Sequence, residues 1–336
     1  MLTSDLYYDL PQELIAQTPV EPRDSSRLMV VDRHSETILH KYFHDLPEFL
    51  SARDLLVAND SRVIPARLTG RKPSGGKVEL LLLRKLDDTH WRGLVGGRHV
   101  TDVLLDLAGD MMITAHVAPA TAEEDWLITF TQPVEPLLER TGKMPLPPYI
   151  HAHLDDQERY QTVYARVSGS AAAPTAGLHF TARLIEQLAQ KGIDFRFVTL
   201  HVGLDTFRPI SEERVEDHKI HTEWCELPLD TAIAITKRKE EGGRVIAIGT
   251  TSVRVLESAA LQNPAGATSG FTGLFITPGY QFRTVDALIT NFHLPKSTLL
   301  AMLGAFMGID LMWKAYCEAI KERYRFYSFG DAMLVL

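Results

Sequence analysis

Cysteine is scarce. Cys225 and Cys317 are the only two in 336 residues, far apart and with no Cys-x-x-Cys pair. That spacing gives no disulfide framework and fits a reducing cytoplasm. Long apolar runs are missing too. The longest, from Leu299 to Ile309, is too short to cross a bilayer and reads as a buried helix. The opening MLTSDLYYDLPQEL has no basic stretch and no apolar core, so no secretory signal is expected. Positive charge is not in excess: 35 Lys and Arg face 43 Asp and Glu, a net charge of −8. This excludes a protein that coats nucleic acid through general basicity, but not one with a local basic groove. Repeats and low-complexity tracts are absent. What remains is 45% hydrophobic and 23% charged, the balance of an ordinary globular chain long enough for one large domain or two smaller ones. A cytoplasmic protein without membrane contact is expected, and nothing demands an oligomer, so a monomer is expected.

The pattern along the chain predicts two parts. Residues 1–67 hold the strand-like LMVVD and LLVA, the second ending at Asn59-Asp60-Ser61-Arg62, which looks like a turn. From 68 to 148 short runs such as KVELLLLRKL, HWRGLVG, MMITAHVA and DWLITFT alternate with Gly, Asp and Pro. They predict an inserted all-β domain, a small barrel or sandwich, with no helix in its first three-quarters. Beyond it the rhythm becomes strand, loop, helix. Thr181 is read as a helix cap and Gly192 as that helix's stop. Asp230 is read as the cap of a second helix, Thr251-Ser252 as the start of a third, and Lys296 to Met307 as a fourth. Strands are expected at 193–200, 244–248 and 287–290. The fold class is therefore α/β: a large mixed domain, barrel-like or three-layer, with mostly parallel strands, made of 1–67 and 149–336 and interrupted by the β domain.

Several motifs fall on loops at strand ends, where ligands of such folds sit. GSAAAPTAGLHFT (169–181) is small and nearly uncharged, lets backbone approach a flat ligand, and carries one titratable group, His179. In Ile248-Gly249-Thr250-Thr251 free amides and hydroxyls at a helix start suit a phosphate or a carboxylate, with Arg254 one turn on. HVGLDTFRP (201–209) sets His201, Gly203, Asp205 and Thr206 after a strand; a structural histidine is an equal reading there. TNFHLPKSTLL (290–300) places polar Asn291 and His293 between two apolar elements, with Ser297 able to cap the next helix. Arg62 and Arg67, on irregular backbone around Pro65, suit phosphate contacts. Tyr160, Tyr164 and Phe180 offer rings for a base, although core packing explains aromatics more often. His218, His221 and Cys225 have metal-like spacing but lack a fourth ligand. No metal is expected, and His221 and Glu223 are read as exposed on a substrate-facing segment.

Taken in order, DLPQELIAQ (9–17), RDSSRLMV (23–30), NDSRVIPARL (59–68), PLPPYI (145–150), YQTVYA (160–165), GSAAAPTAGLHFT, HVGLDTF, HKIHTE (218–223), GTTSVR (249–254), TNFHLPKSTLL and YRFYSFGDAML (324–334) span nearly the whole chain. With them the sequence resembles the S-adenosylmethionine:tRNA ribosyltransferase-isomerases of queuosine biosynthesis. One departure is Leu204-Asp205, where that family usually has Ala-Gly. The resemblance implies transfer and rearrangement of the ribosyl part of S-adenosylmethionine onto an aminomethyl-deazaguanine wobble base of tRNA. Epoxyqueuosine forms and adenine and methionine leave. S-adenosylmethionine is then a consumed cosubstrate, no permanently bound cofactor is implied, and tRNA is the partner. His179 and His293 become the leading acid/base candidates, with Asp205 and Glu223 the carboxylates to test next. The segment containing Pro174, Thr175 and Gly177 would accept the adenosine face. Gly249, Thr250 and Thr251 would hold the methionine carboxylate or an RNA phosphate, with Arg62, Arg67 and Arg254 as anion partners. The alternatives are an S-adenosylmethionine-dependent RNA methyltransferase, disfavoured by the missing early Gly-x-Gly-x-x-Gly, a non-catalytic tRNA-binding protein, and a phosphate-ester enzyme.

Overall fold

The central strands are made by apolar runs with little polar alternation. The computed structural model describes residues 1–106, 112–120, 125–203, 209–263 and 266–336. It divides into two compact units: Met1–Ser61, Pro148–Val167 and Pro174–Leu336 in the first, Arg62–Pro147 and Ser168–Ala173 in the second.

The first unit carries a nine-stranded sheet. Its order is Thr268–Thr272, Glu223–Leu227, Asp194–Leu200, Asp54–Asn59, Arg244–Ile248, Ala287–Asn291, Ala332–Val335, Arg27–Asp32, Thr37–Tyr42. The four strands from Asp194–Leu200 to Ala287–Asn291 are mutually parallel. Antiparallel pairings appear on both sides of them, although Arg27–Asp32 pairs in parallel with Ala332–Val335 near one edge, so the sheet is mixed. Every residue of Asp54–Asn59 and of Ala287–Asn291 is buried. Successive residues point to opposite faces, so both faces are covered and the arrangement is three-layered. On one face Leu56, Ile246, Ile289 and Leu334 pack with Phe43, Leu46, Leu184 and Leu188. Truncating any one of these leucines to alanine removes about 2–5 kcal/mol of packing.

The helix Ala182–Gln190 starts where the Thr181 hydroxyl accepts the Leu184 N–H at 3.1 Å, and ends before Gly192, whose φ is +75°. Other boundaries differ from the sequence reading. The helix Leu229–Glu240 follows Pro228, so Asp230 lies in its first turn, where its charge favours the macrodipole without capping. The helix Thr250–Gln262 starts one residue early, directly after Gly249 at φ +85°. Ser297, not Lys296, opens the helix Thr298–Met307. Asn59–Arg62 is no turn. Ser61–Val63 is a short strand, and the Asn59 side chain accepts from the Ser61 N–H at 3.0 Å.

The second unit is a closed barrel, in the order Trp126–Phe130, His90–Gly96, Lys77–Lys85, Arg67–Arg71, Asp102–Asp106, Met112–Pro119. Val78, Leu80 and Leu82 alternate inward. Gly93 permits close strand approach, because a Cβ there would lie 2.4 Å from the Leu81 carbonyl oxygen. The helix Glu135–Thr141 follows the last strand.

Candidate active site

The parallel centre of the sheet decides where polar groups collect. Asn59, Leu200, Ile248 and Asn291 are the last residues of four strands that point the same way. Their loops therefore share one rim, the usual ligand side of an α/β sheet. Arg27–Asp32 and Ala332–Val335 run the other way, which brings their first residues, with Ser26 and Asp331 just before them, to that same rim.

At the rim four residues form one hydrogen-bonded chain. The Thr175 hydroxyl donates to Asn291 Oδ1 at 3.0 Å. Asn291 Nδ2 is then left facing His179 Nε2 at 3.1 Å, so that nitrogen carries the lone pair. Nδ1–H of His179 is left to donate to Ser26 Oγ at 2.7 Å. The ring also stacks on Phe43, with centroids 5.0 Å apart. Burial, with Arg325 and Arg23 adding to it, pulls the imidazole down to about 3. His179 is thus a neutral imidazole of fixed tautomer.

His293, two residues past the end of its strand, is held by its backbone. Its N–H donates to the Tyr316 hydroxyl at 2.8 Å, and its carbonyl accepts from Tyr8. Nε2 lies 2.8 Å from the Thr290 hydroxyl, and burial lowers this imidazole to about 3 as well. Nδ1 has no partner among the described residues. The neutral ring keeps a lone pair that can accept a proton, while burial makes it a weak base until substrate changes its surroundings.

Gly249 places the start of its helix against the Thr175–His179 turn: a Cβ at Gly249 would lie 3.5 Å from Ala176 Cβ and 3.7 Å from Thr251 Oγ1. That Thr251 oxygen is buried without a hydrogen-bond partner among the described residues. Thr250 is buried beside it. Gly177, in the same turn, is required by Tyr164, whose hydroxyl would lie 2.1 Å from an added Cβ.

The structure changes the reading of several other residues. Glu223 is buried, not exposed. It pairs with the buried guanidinium of Arg254, and its Oε1 accepts the Gly203 N–H at 2.7 Å. Arg254 also donates to the carbonyls of Leu274 and Thr272, so its charge is occupied inside the fold. His221 is exposed. His201 stacks on Trp224 at 5.2 Å, and its buried Nδ1 has no hydrogen-bond partner among the described residues. Burial lowers it, with Asp60 opposing. Tyr160 and Phe180 are fully buried, and Tyr164 packs edge-on or tilted against Phe180, Phe195 and Phe197, so none of the three presents a free ring. Pro174 leads into the Thr175–His179 turn. The Ser297 hydroxyl is occupied as a cap, accepting from Leu300 N–H and donating to Leu294 O. Arg62 and Arg67 belong to the barrel unit, where Arg67 pairs with Glu79 at 2.7 Å. Asp205 and Thr206 lie outside the described residues. His218 pairs with Glu212 at 2.9 Å, and among the described residues no group of three or more metal-ligating side chains gathers.

Sequence reasoning missed two rim groups. Ser26 fixes the His179 tautomer. Asp60, 1% exposed, accepts from Thr199 at 2.7 Å and from Arg166 at 2.6 Å. The signal for Asp60 is a polar cluster directly after an apolar strand, a pattern that a turn also produces.

A three-layer α/β sheet with buried imidazole, amide and hydroxyl groups converging at the carboxyl rim defines a ligand-handling α/β enzyme architecture. The chain belongs to the family described as queuosine biosynthesis protein, whose model matches residues 3–335. It is 52% identical over 341 residues to the S-adenosylmethionine:tRNA ribosyltransferase-isomerase of Symbiobacterium thermophilum, across 100% of both chains. It is 50% identical over 340 residues to that of Acetivibrio thermocellus, again across 100% of both. Among solved structures, the S-adenosylmethionine tRNA ribosyltransferase of Thermotoga maritima aligns with a TM-score of 0.59 at 38% identity, covering 99% of this chain and 100% of its own.

Proposed function

We propose that this chain is an S-adenosylmethionine:tRNA ribosyltransferase-isomerase. It moves the ribosyl part of S-adenosylmethionine onto the aminomethyl-deazaguanine wobble base of a tRNA and rearranges it to the epoxycyclopentane of epoxyqueuosine, releasing adenine and methionine. The carrying observation is that full-length similarity to enzymes of that name coincides with convergence of the scattered polar motifs on one rim.

The reaction asks for a base at the ribose carbon beside the sulfonium, for a neutral attacking amine, and for a proton on the departing adenine. His293 is the first candidate base because it is neutral and has a ring nitrogen without a partner among the described residues. His179 is the second acid/base candidate and acts once one of its two ring partners moves. Asp205 and Glu223 are the next carboxylates to test. Pro174, Thr175 and Gly177 accept the adenosine face; Gly249, Thr250 and Thr251 receive the methionine carboxylate or an RNA phosphate. The larger unit is the catalytic domain and the barrel unit the inserted one. The chain acts as a monomer in the cytoplasm, without a permanently bound cofactor. Among the described residues no single helix is long and apolar enough to cross a membrane.

Mass spectrometry tests the reading. The protein is mixed with S-adenosylmethionine and a tRNA bearing the aminomethyl-deazaguanine base. Adenine, methionine and the modified nucleoside are expected together. S-adenosylhomocysteine in their place would make the chain a methyltransferase. Binding without turnover would make it a tRNA-binding protein.

A further inference from the structure

Beside His179 lies a small concavity whose cations no function has yet used. Arg23 and Arg159 line it together with His179 and Ser328, while Leu178 and Phe329 supply apolar wall. Both arginines are held in place by backbone. Arg23 donates Nη1–H to the Gln161 carbonyl at 2.6 Å and Nη2–H to the Glu158 carbonyl at 3.1 Å. Arg159 donates Nη2–H to the Val20 carbonyl at 3.1 Å. A guanidinium has five N–H donors, so neutral carbonyls satisfy part of each fork and neutralise none of its charge.

Charges of both signs surround the pair. Arg23 is lowered from its ordinary range by burial and then by Arg159, and Arg325 joins Arg23 in depressing His179. Three cations therefore act on one small volume. The opposing carboxylates are exposed: Glu21 pairs with Arg159 at 2.7 Å from a side chain that is 72% exposed, and Asp156 and Glu158 act on Arg23 with it from exposed positions. Asp331 is buried but accepts the backbone N–H groups of Arg27 and Arg325. Asp24 Oδ2 accepts from Thr181 and Arg183. In a chain of net charge −8, a pair of planar guanidinium forks flanked by apolar wall suits an oxyanion.

We propose that Arg23 and Arg159 form a phosphodiester subsite for the RNA substrate, gripping the backbone of a nucleotide that flanks the base being modified. The proposal rests on the reading of the chain as a tRNA-modifying enzyme and adds the contact that places RNA beside His179. The other oxyanion available to this enzyme is the amino-acid carboxylate of S-adenosylmethionine, and the test separates the two.

The full chain and its Arg159→Gln variant are titrated with the wobble-base tRNA over a series of salt concentrations. Expected is a roughly tenfold weaker Kd in the variant and a log Kd against log salt slope shallower by about one. The KM for S-adenosylmethionine keeps its wild-type value, and Arg159→Lys recovers part of the tRNA affinity. A neutral methylphosphonate at the gripped position of an anticodon stem-loop weakens the wild type and leaves Arg159→Gln unmoved. An unchanged Kd and slope would overturn the subsite. So would a raised KM for S-adenosylmethionine with tRNA affinity intact, which assigns the arginines to the cosubstrate carboxylate. Thermal melting of Arg159→Gln checks the fold, and Arg23→Gln must shift the same slope if melting drops. Binding is read without turnover, so a chain that fails to release adenine still tests the subsite. A wild type that turns over with an unmoved slope defeats the subsite alone.

Discussion

His179 and His293 carry opposite consequences for stability and for catalysis. Both are neutral in the fold, with values near 3 against an ordinary 6.5. Above 6.5 each is uncharged whether the chain is folded or not. Between 6.5 and 3 the unfolded chain takes up a proton that the native one refuses, so stability falls as pH falls. Each histidine contributes about 1.4 kcal/mol per pH unit in that window. Urea unfolding between pH 7 and pH 5 should show this loss, and His179→Gln should flatten the slope by about that amount; an unchanged slope would mean His179 protonates in the fold. For turnover, His293→Ala should lower kcat by at least about a hundredfold while the chain still folds, read by adenine release and circular dichroism. A near-native rate removes His293 from the chemistry. Both residues were legible in the sequence because a lone imidazole in a small-residue or apolar stretch stands out. Ser26 was not, because its partner lies far along the chain, and nothing local marks a serine as the acceptor that sets a tautomer.

At the scale of the element, the Thr175–His179 turn depends on a missing side chain. A Cβ on Gly177 would sit 2.1 Å from the Tyr164 hydroxyl and 2.8 Å from Thr162 Cγ2. Gly177→Ala should therefore cost about 1–3 kcal/mol in urea midpoint experiments, and Tyr164→Phe in the same chain should return part of it by removing the first clash. Additive costs from the two changes would show that the turn does not rest on the tyrosine. Elements of this kind were partly readable. Thr181 and Gly192 bound their helix as expected, since capping chemistry is local. Asp230 misled because Pro228 ends the preceding extended segment and leaves the aspartate inside the first turn. Antiparallel flanks were unreadable, since strand direction is set by partners that no single segment encodes.

For the whole molecule, S-adenosylmethionine should tighten one region and spare another. Ligand at about a hundred times its Kd stabilises the state that binds it by about 2.7 kcal/mol. Amide exchange should slow at the rim, around 175–179, 249–254 and 290–293, and stay unchanged in the strands of the barrel unit. Slowing confined to the barrel would place the cosubstrate away from the rim. The sheet also has a consequence for biosynthesis. Ala332–Val335 is the strand that joins Arg27–Asp32 to the rest. During synthesis the early hairpin waits with an open edge for on the order of tens of seconds, at ordinary elongation rates, before its neighbour emerges. Its apolar Leu-Met-Val-Val is exposed to strangers throughout that interval. Until that neighbour is made the hairpin edge is open to pairing with another chain, and a chain lacking Ala332–Val335 should aggregate in light-scattering measurements.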